Sequence, residues 1–84
     1  MTVKIRLFAA LRDLAGSNEV EVEAETVADA LEALAGRFGE RFAQIARAGS
    51  AVVDGERASA ETSLRDAREV ALLPPVSGGS APDA

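Results

Sequence analysis

Residues 69–79 read EVALLPPVSGG, and this stretch limits how the rest of the chain can be arranged. Four of its first five residues are apolar, which is typical of a strand buried in the middle of a sheet. Pro74 and Pro75 have no amide hydrogen for a strand ladder, so the strand ends before them and the chain continues extended. Gly78 and Gly79 then offer backbone without side chains. We therefore predict a folded body, a semi-stiff arm and a narrow tip.

The chain before this strand carries clear alternating and helical patterns. Residues 3–7 alternate apolar with basic side chains, and residues 19–23 alternate Glu with Val, so both segments predict strands with one buried face. Thr26 is a good N-cap, and apolar residues then recur at three- and four-residue spacing as far as Phe38. These patterns predict two strands followed by one main amphipathic helix.

Weaker patterns complete the order of elements. Residues 12–16 predict a helical turn closed by glycine, and Phe42 and Ile45 predict a second, frayed helical piece. Residues 51–53 predict a short strand, and the Asp-Gly pair at 54–55 predicts a tight turn into a short return strand.

We therefore expect an α+β fold, in which a mixed sheet of four to five strands carries one main helix across one face. The first and last strands are the most apolar, so we expect them side by side at the centre of the sheet.

The composition excludes several classes of function. The chain has 9 basic and 14 acidic residues, so no basic surface for nucleic acid or an anionic membrane is expected. It contains no Cys and no His, which excludes disulfides and thiolate zinc sites and removes the commonest general base. No apolar run approaches the roughly 18–20 residues of a membrane span. The N-terminal residues do not resemble a secretory signal, so we expect a cytoplasmic protein.

The glutamates at positions 19, 21, 23 and 25 are expected to form a solvated strand face. A metal site is not expected there, because no second cluster of ligands accompanies them.

The stretch LLPPVSGG, at residues 72–79, resembles the C-terminal signature of the ubiquitin-like sulfur carriers. The resemblance is strongest to the small subunit of molybdopterin synthase. It extends to VKIRLFAALRDLAG at 3–16, TVADAL at 26–31, VVDGE at 52–56 and residues 64–73. The fold that this resemblance implies is the β-grasp, which agrees with the order of elements predicted from the patterns.

The resemblance implies a function for the tip. The terminal carboxylate of Gly79, preceded by Gly78, would be adenylated with ATP by a ubiquitin-activating-type adenylyltransferase and converted to a thiocarboxylate. The arm would then deliver sulfur to a cyclic pyranopterin precursor inside the large catalytic subunit, in a heterotetramer. The chain itself would be a non-catalytic carrier that binds neither cofactor nor metal, and ATP would be used by the activating partner.

The sequence departs from the family pattern after the second glycine. Ser80–Ala84 follow, so the Gly79 carboxyl group is held in a peptide bond. We expect a domain over residues 1–73, an arm over 74–79 and an extension over 80–84 that is disordered or removed by a processing protease.

The resemblance to ubiquitin-like proteins implies that partners bind the exposed side of the sheet near the arm. Phe8 follows Leu7 in an alternating strand, which favours an outward orientation of its side chain. The alternative is that Phe8 packs under the first loop. The predicted partner-binding residues are Phe8, Leu64, Leu73, Pro74, Pro75, Val76 and Ser77.

Two alternative functions remain open at this point. The first is a related carrier that serves thiamine, cysteine or another sulfur-containing product. The second is a protein modifier or interaction module with the same fold and no sulfur chemistry.

Overall fold

The computed structural model describes residues 2–75, which form five strands and three helices. The strands are β1 (Thr2–Leu7), β2 (Glu19–Glu23), β3 (Ser50–Val53), β4 (Glu56–Ala58) and β5 (Val70–Leu73). The helices are α1 (Ala9–Ala15), α2 (Val27–Phe38) and α3 (Glu40–Ala48). The predictions for Val76, Ser77, Gly78, Gly79 and the extension over 80–84 lie outside the described residues.

The strand that leads into the arm lies at the middle of the sheet. The strand order is β2-β1-β5-β3-β4, with β5 parallel to β1 and antiparallel to β3. Val70 lies opposite both Ile5 of β1 and Val53 of β3. The α+β fold with its mixed sheet is therefore confirmed, as is the pairing of the first and last strands.

Alternation along the strands sorts side chains to the two faces of the sheet. Val3, Ile5 and Leu7 are buried on the inner face, whereas Lys4 and Arg6 are exposed on the outer face. Val70 and Leu72 of β5 are buried in the same core. Because the buried residues of β1 and β5 lie on the same face of the sheet, the helices need to cover that face only.

The helical layer is larger than the sequence predicted. Thr26 caps α2 as expected, because its Oγ1 accepts a hydrogen bond from the Asp29 amide at 3.2 Å. Gly39, at φ 98°, ends α2, and α3 then forms a complete second helix rather than a frayed piece. Phe42 of α3 is completely buried, and its ring lies 5.2 Å from that of Phe38. Burial of this aromatic pair stabilises a short helix whose sequence pattern is weak.

Asp54 joins the β3–β4 turn to the start of β5. Asp54 and Gly55 both have positive φ, at 52° and 86°, as the predicted tight turn requires. The Oδ1 atom of Asp54 accepts hydrogen bonds from the amides of Arg68 and Glu69, both at 2.8 Å. The Asp54 amide in turn donates to the Glu69 carbonyl at 2.8 Å. The residue therefore holds the entrance of the central strand in register.

Replacing Asp54 with Ala is expected to lower the free energy of unfolding by about 1–2 kcal/mol, because two backbone donors lose a charged acceptor. Asp54→Asn keeps an acceptor oxygen and tolerates positive φ, so its loss should be smaller. Urea denaturation measures both values. Asp13→Ala is the control, because Asp13 is exposed and its ion pair with Arg12 is long at 3.9 Å. Equal stability of the Asp54→Ala and Asp13→Ala chains would contradict this role.

Candidate functional site

The root of the arm leaves the sheet from its central strand, β5. Leu73, the last residue of β5, pairs with Ser50 of β3. Leu73 and Pro74 are half-buried, and Pro75 is exposed. Because β5 has a neighbouring strand on each side, the arm begins from a fixed point on the sheet.

An exposed apolar surface adjoins this root on the outer face of the sheet. Residues Phe8, Val52, Ala71 and Leu73 are its apolar members, and we call them the outer-face patch. They line a shallow groove of about 240 Å³ together with Arg6, Gly55 and Glu69. The strand register explains the grouping, because Ala71 lies opposite both Arg6 and Val52. Apolar side chains left on a solvent face next to a chain exit are typical of a protein interaction surface.

Phe8 is the largest side chain of the outer-face patch. It is 38% exposed, whereas the preceding Leu7 is buried, so the outward orientation expected from alternation is observed. The Phe8 carbonyl accepts hydrogen bonds from the amides of Leu11 and Arg12, at 3.1 and 3.4 Å. The backbone that carries the ring is therefore fixed by the first turn of α1.

Charged residues flank the outer-face patch. Arg6 Nη1 lies 3.3 Å from Glu69 Oε2, and both side chains are more than half exposed. Towards the edge of the sheet, Lys4 lies opposite Glu21 and Arg6 opposite Glu19. The acidic strand β2 thus faces basic residues of β1 on a solvated surface. Within residues 2–75, no group of three or more acidic side chains could hold a metal ion.

The prediction of Leu64 as a partner-binding residue is wrong. Its side chain is 1% exposed and belongs to the core. The Leu64 amide donates to the Glu25 carbonyl at 2.8 Å, and neighbouring Ser63 forms a bridge with Thr26. These contacts draw the loop against the start of α2, and Leu64 turns inward.

Two members of the outer-face patch, Val52 and Ala71, were not among the predicted site residues. The signal that could have found them is the alternation of β3 and β5. Once Val70 and Leu72 are assigned to the core, Ala71 and Leu73 must lie on the opposite face. The predicted Leu73, Pro74 and Pro75 do lie together at the root of the arm.

The described helices do not resemble membrane spans. Among residues 2–75, none of them has both the length and the hydropathy that crossing a bilayer requires.

Comparison with known proteins gives consistent similarities. The ThiS family matches the chain over residues 5–79. Small archaeal modifier protein 1 of Haloferax volcanii is 39% identical, over 88% of this chain and 97% of its own length. The crystal structure of that modifier protein gives a TM-score of 0.73 at 34% identity, covering 94% of this chain and 100% of the other.

Two further solved structures extend the similarity. A putative molybdopterin converting factor subunit 1 from Pyrococcus furiosus is 30% identical, with a TM-score of 0.74, covering 90% of this chain and 99% of its own. A complex of subunits 1 and 2 of molybdopterin-converting factor from Helicobacter pylori contains a chain that is 22% identical, with a TM-score of 0.62. The match covers 94% of this chain and 100% of that one, and it shows a shared fold.

Proposed function

The chain belongs to the ThiS family of ubiquitin-like carriers and modifiers, and on that premise we propose that it is the sulfur-carrier small subunit of a molybdopterin synthase. Sulfur is carried as a thiocarboxylate on Gly79, after a processing protease has removed residues 80–84. The observation that carries the proposal is the course of β5. This strand is paired on both sides in the sheet. It leads directly, through Pro74 and Pro75, towards the Gly78-Gly79 pair in the sequence.

The proposed chemistry needs an activated acyl group, because an ionised carboxylate resists attack by a sulfur nucleophile. An adenylyltransferase joins the Gly79 carboxylate to the α-phosphate of ATP and releases pyrophosphate. Sulfur at the oxidation level of sulfide attacks the acyl carbon, and AMP leaves with the electron pair of the broken bond. The product is the thiocarboxylate, which the large subunit uses as its sulfur source, and water restores the carboxylate.

The residues of the arm suit this work. Glycine lets backbone enter a narrow channel where a Cβ would collide, and proline lowers the entropy lost when the arm is immobilised. Every catalytic side chain in the scheme belongs to a partner, so this chain needs neither His nor Cys. Similarity to the Pyrococcus furiosus protein supports molybdopterin synthesis as the pathway.

Protein modification is the second candidate function. It is favoured by the 39% identity to small archaeal modifier protein 1. The two functions share adenylation of Gly79 and diverge at the nucleophile, which is sulfur in a carrier and a lysine amine in a modifier.

The two functions are separated by intact mass after incubation of the chain ending at Gly79 with the activating enzyme, ATP and sulfide. A carrier gains the mass of one sulfur in place of one oxygen. A modifier becomes attached through an isopeptide bond to lysines of added cell extract. Co-purification of a pterin-binding large subunit with the tagged chain selects the molybdenum pathway.

Replacement of Phe8 with Ala should weaken binding of the large subunit or the activating enzyme by about tenfold or more, because an exposed aromatic anchor is lost from the outer-face patch. Titration calorimetry or surface plasmon resonance measures the affinity. Leu14→Ala is the matched control, because Leu14 is 39% exposed, against 38% for Phe8, and does not belong to the patch. Equal losses in the two variants, or none in Phe8→Ala, would show that the patch is not a docking surface.

A further inference from the structure

Gly49 lies against the backbone at the root of the arm. A Cβ at this position would lie 1.9 Å from the Leu73 carbonyl oxygen and 2.9 Å from the carbonyl carbon of Pro74. Real Cβ contacts essentially never fall below 3.0 Å, so any side chain here would collide. The obstructing atoms are backbone atoms, which cannot rotate away as the end of a flexible side chain can.

The backbones of Gly49 and Leu73 are both held in place, so they cannot easily move apart. The Gly49 amide donates to the carbonyls of Ile45 and Ala46, at 3.1 and 3.2 Å, so it closes the end of α3. Helix α3 is in turn anchored by the completely buried Phe42. On the other side, Leu73 is paired with Ser50, and the following proline restricts Leu73 to extended conformations.

The contact completes a clamp on the central strand. The two residues that flank β3 hold opposite ends of β5, since Asp54 binds the amides at its entrance and Gly49 abuts its exit. A slip of β5 by one residue would move its buried side chains to the outer face and would change the reach of the arm. The hydrogen that Gly49 carries towards Leu73 also has the direction of a weak Cα–H···O contact with that carbonyl.

We propose that Gly49 is a positioning residue that sets the place and direction in which the arm leaves the sheet. It does so by allowing the carbonyl of Leu73 to lie directly against the end of α3. The proposal rests on the proposed function, because the direction of the arm matters only if its tip must enter a partner's site. A displacement of about 1 Å at a reacting group can lower an enzymatic rate by about a hundredfold. A shift of the arm at its root should therefore lower the rate of reaction at Gly79.

The test compares Gly49→Ala with Gly36→Ala. Gly36 lies within α2, and a Cβ there meets nothing within 4 Å, so Gly36→Ala should raise the urea midpoint and leave the resonances of Leu73 and Pro75 unchanged. In the full chain, Gly49→Ala should shift the NMR resonances of Ser50, Leu73 and Pro75 and spare those of α2. In the chain ending at Gly79, which retains all described residues, kcat/KM for adenylation should fall about ten- to a hundredfold.

The kinetic comparison is made at a temperature where circular dichroism shows both variants folded, so that lost stability cannot mimic misplacement. Should Gly49→Ala fail to fold alone, the double variant with Gly36→Ala restores part of the stability. The wild-type chain supplies a separate measurement. The Gly49 Hα that is directed towards the Leu73 carbonyl oxygen should resonate clearly downfield of the other Gly49 Hα.

The outcomes separate this proposal from the proposed function. A folded Gly49→Ala chain with unchanged Leu73 and Pro75 resonances and wild-type kcat/KM would overturn the positioning role. Two equivalent Gly49 Hα resonances in the wild type would overturn it as well. If the chain ending at Gly79, with Gly49 unchanged, is never adenylated, the proposed function fails, and the resonances of Leu73 and Pro75 still decide whether Gly49 positions the root of the arm.

Discussion

A chain in which Gly79 is replaced by Phe is expected to form no detectable thiocarboxylate and to keep its fold. Two physical reasons combine. The reacting carbonyl must reach the adenylate and the sulfur donor through a channel that fits bare backbone, and an aromatic side chain at the reacting residue blocks that approach. The buried core of the described residues lies between Val3 and Leu72, so we expect it to be retained in this variant. Deletion of Gly79 should have the same effect, because it withdraws the acyl group by one residue.

Intact mass of the incubated chain measures this loss, and the urea midpoint shows whether the fold is retained. Asp83→Phe in the full chain, followed by processing, is the control. The same bulky residue then lies in the segment that is removed, and the processed chain should be loaded with sulfur normally. Normal sulfur loading of Gly79→Phe would refute the tail mechanism.

The full chain is expected to be inert towards adenylation, whereas the chain ending at Gly79 is active. In the full chain the Gly79 carboxyl group is held in a peptide bond, so it has no carboxylate oxygen to attack the α-phosphate of ATP. ATP–pyrophosphate exchange measures the difference, which should be complete rather than partial.

A chain ending at Ser80 is the matched control for this experiment. It has a free terminal carboxylate one residue beyond Gly79, but it places a Cβ at the reacting residue. It should therefore be nearly as inert as the full chain. Formation of an acyl adenylate on the full chain would contradict the requirement for processing.

Much of the fold could be predicted because its signals are local. Alternation in β1 and β2, the Thr26 cap and the turn at Asp54 each follow from a few neighbouring residues, and the structure contains all of them. The central position of β5 followed from its apolar composition.

The missed features depend on contacts between distant segments. Leu64 is a single apolar residue in a polar loop, without periodicity. It packs in the core, and its amide donates to the carbonyl of Glu25, a residue distant in the sequence. The full length of α3 depends on packing of Phe42. The sequence showed Gly49 only as a break, because a close approach to Leu73 has no local pattern.

The candidate site also has a part with a local sequence signal and a part that depends on strand pairing. The end of β5 before Pro74 could be predicted, because proline has no amide hydrogen for a strand ladder. The roles of Gly78 and Gly79 stay predictions. The outer-face patch required the pairing of β3, β5 and β1, which brings Val52, Ala71 and Arg6 into one row. Discrimination between a carrier and a modifier depends on the nucleophile, which belongs to other proteins.

Intact mass of the chain isolated from its own cells shows whether Gly79 becomes the C-terminus and carries sulfur. We expect a chain that ends at Gly79, in part carrying sulfur in place of one carboxylate oxygen. A chain that retains Ser80–Ala84 in cells that make molybdenum cofactor at a normal rate would contradict it.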